Sequence, residues 1–334
     1  MISTGGGRFD PEEGFTFFVA GVNINNAAHF HPWTLMAVND LMSDGGVSEL
    51  RARTEPADAK LFLDSGIFWL SSRHAQRHDL TFYEALTVLP TEIDGFDKLL
   101  ARYIEIVKEF EADLWGYVEP DQGGVDAKRA TRQALEAQGL APIPVYHPLT
   151  DGWDYFDELA DGYDRIAIGN VVMADKAVRR GILTTIWERR RRHGKRLWLH
   201  ALGYTPNQLF DAYPINSSDS SSHVYALRYG ASMCMGRAML AQFGELIDDG
   251  FSYDLAQYDD PERGLPKKTA LLSWIARSEV EAWRRQWEDL QRVMPGIEPW
   301  PAPFDGELDP VTVELALSTH PHGGTRGDVW GAAA

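Results

Sequence analysis

The sequence predicts an α/β fold, a (β/α)8 TIM barrel with a helical extension at its C-terminal end. Short apolar segments that suit buried strands alternate along the chain with amphipathic segments that suit helices. Most of the apolar segments end in a cluster of polar residues, as barrel strands do where they meet a site. The length of 334 residues also accommodates one barrel of about 250 residues with appendages.

Three parts of the chain differ in composition. Residues 1–14 are rich in glycine and polar side chains, which predicts a flexible N-terminal arm. Residues 15–295 carry the strand and helix patterns and predict the barrel domain, including C-terminal helices over 223–244 and 267–294. Residues 296–334 begin with prolines spaced around a tryptophan, which predicts an extended strap followed by a tail.

The first predicted strands cover residues 15–22, 59–63 and 113–118. The second ends at Asp64, and the third runs into a polar segment that contains Asp121. A helix is predicted over 96–112 because its apolar residues recur at helical spacing. A helix between two strands is the βαβ pattern, which predicts that the strands are parallel.

Four more strand-like segments follow at 143–146, 165–168, 197–199 and 215–223, accompanied by predicted helices over 127–138, 153–160, 176–192 and 206–212. The segment 215–223 is so polar that it resembles an active-site segment more than a core strand. The pattern thus places seven strand units and leaves the eighth without a position.

Composition excludes several classes of protein. The hydrophobic fraction of 44% is enough for a large core, so wholesale disorder is excluded. The single cysteine, Cys234, excludes intrachain disulfides and a thiolate zinc cluster. No apolar run approaches the ~20 residues of a membrane span, and residues 1–14 lack a signal-peptide pattern. We therefore expect a cytoplasmic protein with no membrane partner.

The net charge of −17 argues against binding nucleic acid over the whole surface, because phosphate recognition depends on Lys and Arg. Local basic clusters remain compatible with such binding. Arg189–Arg192 is one of these clusters, but a solvated helix end is the favoured interpretation of these four residues.

Polar side chains collect where the predicted strands end. They are Asp64, Asp121, His147, Asn170, His200 and Asp219, with His29 and His31 after the first strand. Because the carboxyl ends of barrel strands meet at one face, these groups are expected to share a site. Two carboxylates from different strands suit nucleophilic and acid–base roles at an acetal-like carbon, and metal binding is the competing use.

An ordered series of motifs resembles the tRNA-guanine transglycosylase superfamily of (β/α)8 barrels. Leu63–Phe68 resembles the family's Asp-Ser-Gly-Gly-Phe-Gln motif, and Asp113–Gln122 resembles its base-recognising Asp segment. Ile166–Gly169 resembles the glycine-bearing strand that contacts the base, and Leu202–Pro206 resembles the Gly-x-Gly-Thr-Pro turn. Asp219 falls where the family has its nucleophile, so the resemblance spans roughly residues 15–223.

The departures from that pattern favour one branch of the superfamily. The second glycine of the first motif is Ile67, Asp121 lies in a shifted Pro-Asp-Gln context, and the zinc-binding Cys₃His cluster is missing. A chain with no zinc subdomain resembles the divergent DNA-guanine transglycosylases of phages and bacteria. Those enzymes replace guanine in DNA with a 7-deazaguanine such as preQ0.

This resemblance implies a double displacement that needs no cofactor. Asp219 attacks C1′ and expels guanine, and the 7-deazaguanine base then attacks the covalent intermediate while Asp64 handles the proton. The reverse assignment of the two carboxylates stays open. Base binding is assigned to Asp121, His147, Gly169, Asn170 and Ser65. The implied partners are DNA, or alternatively tRNA, and the incoming base; homo-oligomerisation is left open.

Two other functions fit the residues. His29 and His31 have the His-x-His form of amidohydrolase metal ligands, and His147, His200 and Asp219 follow in a compatible order. The chain would then be a metal-dependent TIM-barrel hydrolase. A catalytically silent barrel that only binds nucleic acid or a partner is the third hypothesis, but clustered carboxylates would repel a phosphate backbone.

Overall fold

The structure is a computed structural model that describes residues 2–11, 16–20, 33–174, 176–193, 197–204 and 215–221. These residues form an α/β fold around one sheet of eight parallel strands. The strands are β1 Thr16–Val19, β2 Trp33–Ala37, β3 Lys60–Asp64, β4 Leu114–Tyr117, β5 Val145–Tyr146, β6 Arg165–Ile168, β7 Trp198–Ala201 and β8 Ser217–Ser220. The α/β class and the parallel sheet predicted from the sequence are therefore confirmed.

The sheet curls so that its two outer strands approach each other. The strand order is β4-β3-β2-β1-β8-β7-β6-β5, and β1 pairs with β8 in register from Thr16–Ser217 to Val19–Ser220. Val118, directly after β4, forms a parallel bridge with Ile143, two residues before β5. The Ile143 amide donates to the Tyr117 carbonyl at 2.8 Å. The arrangement resembles a TIM-like fold.

Two strands differ from the sequence prediction. The strand that the sequence pattern did not place is β2, the second along the chain. Its three central residues are buried. Residues 215–223, predicted to be an active-site segment more than a core strand, contain β8, whose four polar residues are all buried. This segment is both a core strand and part of the site described below.

The described helices pack on the outer face of the sheet. They are α1 Asp44–Thr54, α2 Ile67–His78, α3 Phe82–Thr87, α4 Phe96–Phe110, α5 Gly124–Glu136, α6 Trp153–Gly162 and α7 Lys176–His193. The last four agree with predicted helices, whereas α1 to α3 were not predicted. None of the described helices has the length and apolarity needed to cross a bilayer. The predicted helices 206–212, 223–244 and 267–294 and the strap and tail 296–334 lie outside the described residues.

The interior of the curled sheet is filled by aromatic side chains. Phe18 of β1 stacks on Phe62 of β3 with ring centroids 5.3 Å apart, and both rings contact Trp115 of β4. All three residues are fully buried. Separate apolar clusters fill the space between sheet and helices. The aromatic layer therefore supports the ends of the strands where the polar residues lie.

Residues 2–11, which belong to the predicted N-terminal arm 1–14, pack at the amino ends of the strands. The buried Arg165 guanidinium donates to the backbone carbonyls of Thr4 and Gly5. The Phe9 ring lies against Arg165, 4.0 Å from its guanidinium carbon, and contacts Trp115 edge-on. At Gly6, a Cβ atom would lie 2.5 Å from the Trp115 carbonyl oxygen, so glycine permits close approach here. This segment forms a floor beneath the aromatic layer.

Candidate active site

A cavity of about 450 Å³ opens at the carboxyl ends of the strands. Six residues singled out from the sequence line it: Asp64, Asp121, His147, Gly169, Asn170 and Asp219. Ser65 and His200 are buried beside it and bond to its carboxylates. The apolar part of the wall includes Phe68 and Phe82, whose rings are 4.9 Å apart. The structure thus brings residues from β3 and β8 and from the segments after β4, β5 and β6 into one concave site.

Asp64 is the last residue of β3, and the turn that follows fixes its orientation. Gly66 adopts a left-handed conformation with φ of 82°, and its amide donates to Asp64 Oδ2 at 3.0 Å. A side chain at this position would be strained and would press on Asn39. Burial, with smaller effects from the charges of Asp121 and Asp219, raises the pKa of Asp64 to about 7. This carboxyl group can therefore gain or lose a proton near neutral pH.

Asp121 lies near Asp64 but has a different environment. Its Oδ2 is 2.8 Å from Nε2 of His147, and its Oδ1 accepts a hydrogen bond from the Ser65 hydroxyl at 3.2 Å. Burial alone would raise the pKa of Asp121, but the hydrogen bond and charge of His147, with the charge of Lys128, lower it. The two acids are thus pushed in opposite directions, which is how paired carboxyl groups acquire separate roles.

Buried polar contacts hold His147 in position. Its backbone amide donates to Asp151 Oδ2 at 2.7 Å, and the same carboxylate pairs with the fully buried Lys128. The imidazole ring rests against Gly169, where a Cβ atom would lie only 2.6 Å from His147 Cδ2. Gly169 was predicted to contact the base. In the structure it lines the cavity and also leaves room for the ring that bonds to Asp121.

Asn170 presents an unused donor at the cavity. It has a left-handed backbone with φ of 64°, immediately after β6 and Gly169. Its Nδ2 atom is buried and has no hydrogen-bond partner within the described part of the chain. Because a buried amide without a partner is costly, this atom points to a ligand that supplies an acceptor.

Asp219 projects from β8 and is held by neutral donors. The Gly203 amide donates to Asp219 Oδ1 at 2.8 Å, and Nε2 of His200 lies 3.2 Å from the same oxygen. On its other side, His200 Nδ1 is 2.8 Å from the Ser217 hydroxyl oxygen. That oxygen also accepts the indole N–H of Trp198 at 3.1 Å.

These contacts assign the proton positions in the chain from Trp198 to Asp219. Since Trp198 donates to Ser217, the hydroxyl proton is free to donate to Nδ1, and Nε2–H then donates to Asp219. Burial lowers the pKa of His200 despite its bond to Asp219, so a neutral ring fits this assignment. No described residue bonds to Asp219 Oδ2, which leaves that oxygen available to the cavity.

Sequence reasoning did not identify Ser217, Trp198 or Gly203 as supports of Asp219. Alternation could have indicated Ser217, since residues two apart on a strand face the same side. It also did not identify Gln122, which accepts from Ser71 and donates to carbonyls of α3. That contact ties the rim after β4 to α2 and α3.

The metal site of the hydrolase hypothesis can be examined only in part. His29 and His31 lie outside the described residues. Among the residues that are described, no group of three or more His, Cys, Asp or Glu side chains is arranged to hold a metal ion. His147 and His200 each bond to a different carboxylate.

Comparison of the sequence with models of known protein families and with curated proteins gives no match.

Proposed function

We propose that this chain is a (β/α)8-barrel transglycosylase that replaces guanine in a polynucleotide, DNA in the first instance, with a 7-deazaguanine such as preQ0. The reaction runs through a covalent glycosyl ester on Asp219. The motif resemblance in the sequence motivates the proposal. The parallel bridge between the outer strands supports a closed barrel, and the arrangement of the cavity supports the chemistry.

One observation carries the proposal: two carboxyl groups from different strands line one cavity in contrasting environments. Asp64 has a pKa raised to about 7, mainly by burial, which suits a group that transfers protons at neutral pH. Asp219 has one oxygen held by two donors and the other directed to no described partner, which suits a nucleophile. This division of roles is the one the sequence left open.

In the first step, Oδ2 of Asp219 attacks C1′ of the target nucleotide. The C1′–N9 bond breaks as the C1′–O bond forms, and the Asp64 proton passes to the departing guanine. In the second step, the incoming base loses its N9 proton to Asp64. Its N9 attacks C1′, and the ester bond to Asp219 breaks. Both carboxyl groups return to their starting states, so no oxidant, metal or cofactor enters the balance.

The remaining polar groups of the cavity suit recognition of a guanine-like edge. Asp121 has acceptor capacity beyond its bonds to Ser65 and His147, because each carboxylate oxygen accepts more than one hydrogen bond. It can accept from N1–H and the 2-amino group. The unpartnered Nδ2 of Asn170 can donate to O6, an acceptor that guanine and 7-deazaguanines share.

The test is a base-exchange assay on the full chain. Single-stranded DNA and, separately, tRNA carrying labelled guanine are incubated with the protein, with and without preQ0 and with and without a chelator. We expect preQ0-dependent release of label from one polynucleotide, preferentially DNA, unaffected by the chelator. Release without preQ0 would instead indicate a glycosidase. Chelator-sensitive hydrolysis would favour the metal-dependent alternative, and no release from either polynucleotide would overturn the proposal.

A further inference from the structure

A second concave surface lies on the same rim, outside the cavity. This rim groove, of about 180 Å³, runs between α2, Met42 in the segment that joins β2 to α1, and the start of α4. Its lining includes Met42, Trp69, Arg73, Arg77, Asp94 and Lys98. It is formed by residues that the transglycosylase chemistry does not use.

The rim groove is basic in a strongly acidic protein. Three cationic side chains and one carboxylate line it, whereas the whole chain carries a net charge of −17. The carboxylate, Asp94, is 3.7 Å from Arg77, and both side chains are largely exposed. Arg73 and Lys98 form no ion pair with any described residue and are exposed. Two cations are therefore available to an anionic ligand.

An aromatic ring accompanies these charges. The Trp69 side chain is 40% exposed, so part of its ring surface is accessible to a ligand. The Arg73 guanidinium carbon lies 4.6 Å from the centre of its ring, so the cation is held beside the aromatic face. Apolar side chains of Leu70 and Leu99 also line the groove. Exposed aromatic rings next to cations are the elements that bind single-stranded nucleic acid, through stacking and phosphate contacts.

The rim groove adjoins the cavity along α2. Phe68 lines the cavity, and the next residue, Trp69, lines the groove. Their Cα atoms are about 3.8 Å apart, as in any trans peptide. A nucleotide whose base occupied the cavity would thus have its neighbours within reach of Trp69 and Arg73. A base can enter such a cavity only if it is unpaired or flipped out.

We propose that the rim groove binds the nucleotides that flank the target base in a single-stranded polynucleotide. A neighbouring base stacks on Trp69, and phosphates contact Arg73 and Lys98. This inference rests on the proposed function for the identity of the strand. Single-stranded DNA and RNA share a phosphodiester backbone and unstacked bases, which are the features that the groove would contact. The experiment below distinguishes the two kinds of strand.

The test measures binding of fluorescein-labelled single-stranded DNA and RNA oligonucleotides of one sequence by anisotropy, at several salt concentrations. The variants Arg73→Glu and Lys98→Glu are compared with Lys108→Glu, which lies near the opposite end of the same helix, α4, and contacts Gln138. Lys98 and Lys108 are thus matched in residue type and helix but not in location. Trp69→Ala tests stacking separately from charge.

We expect Arg73→Glu and Lys98→Glu each to weaken binding about tenfold. Each should also reduce the slope of log K against log salt by about 0.7, the value for one phosphate of a single strand. Trp69→Ala should weaken binding about tenfold without changing that slope, because stacking releases no counterions. Lys108→Glu should bind like the wild type. Tighter binding of one oligonucleotide would show whether the groove prefers DNA or RNA. Equal binding would support recognition of the backbone that the two share.

Wild-type affinity in the groove variants would overturn the inference, as would equal weakening by Lys108→Glu, which would indicate a general charge effect. Displacement by heparin as efficient as by oligonucleotide, with no effect of Trp69→Ala, would overturn it in favour of a non-specific polyanion surface. Base exchange is measured on the same variants at saturating substrate. If base exchange persists and oligonucleotide affinity is unchanged in the groove variants, this inference fails and the proposed function stands.

Discussion

The two sides of the cavity place a carboxylate in opposite kinds of surroundings. On the β3 side, Asp64 lies beside a second acid, Asp121, and the pair is resolved by burial and by His147. On the β8 side, Asp219 is close to no second acid in its own hydrogen-bond shell and is held by a backbone amide and a neutral imidazole. Burial and the His147 contact set the pKa values on the β3 side, and hydrogen bonds fix the geometry on the β8 side. This difference suggests a proton carrier facing a fixed nucleophile.

The largest expected effect comes from Asp219→Asn, which removes the proposed nucleophile while keeping the side-chain shape. We expect base exchange to fall by at least about 10³-fold, as when other covalent nucleophiles are removed. Oligonucleotide binding should persist. The measurement is preQ0-dependent release of labelled guanine, with the exposed Asp126→Asn as a control. If Asp219→Asn kept substantial activity, the two sides would have to exchange roles.

Asp64→Asn tests the proton carrier. The pKa of about 7 means that Asp64 is protonated below this pH and ionised above it. Under the proposed mechanism the protonated form donates to the departing guanine, so wild-type formation of the glycosyl ester should slow as pH rises through about 7. The variant should lose about 10²–10⁴-fold in rate and show no such pH dependence. Single-turnover measurements on both sides of this pH provide the check; a variant that kept the same pH dependence would point to another group.

His200 lies on the β8 side of the cavity, where we expect it to act by positioning Asp219. His200→Leu removes the Nε2–H donor and should lower kcat by about 10- to 100-fold, the value of a hydrogen bond to a charged group. KM should change little. His200→Gln retains an N–H donor and should recover part of the loss. Equal defects in both variants, or a defect confined to KM, would contradict the positioning role.

Gly169→Ala is expected to have the smallest effect. It acts on the β3 side of the cavity, through His147 and Asp121. The added Cβ would lie 2.6 Å from His147 Cδ2, so the ring must shift away from Asp121. We expect KM for the incoming base to rise about tenfold or less, the worth of one weakened hydrogen bond, with a smaller change in kcat. Gly162→Ala, where a Cβ meets no atom within 4 Å, is the matched control. Identical KM values in the two variants would contradict a role for His147 in binding the base.

The sequence predicted the apolar strands and the residues at their ends well, because burial and alternation are local signals. Asp64 and His147 follow short apolar runs, and both line the cavity. It did not place β2, whose five residues interrupt apolar side chains with Thr34 and follow a polar segment. Nor could it recognise β8 as a core strand, since Ser217 is stabilised there by Trp198 and His200, distant along the chain.

The glycines of the N-terminal segment also make contacts with residues that are distant along the chain. Glycine can indicate either conformational freedom or close approach between backbones, and composition does not separate the two. At Gly5, a Cβ atom would lie 2.2 Å from the Tyr117 hydroxyl, so packing and not freedom explains the residue. The contacts that decide this come from β4 and β6, more than 100 positions away.

The floor that residues 2–11 build beneath the aromatic layer has a kinetic consequence for a transglycosylase. Phe9 and Arg165 pack at the amino end, and the cavity lined by the described residues lies at the carboxyl ends of the strands, so under the proposed function we expect both bases to enter and leave on that side. The released guanine must then leave the cavity before the incoming 7-deazaguanine base can bind. Initial-rate plots at varied concentrations of strand and base should accordingly give parallel lines, the signature of ping-pong turnover.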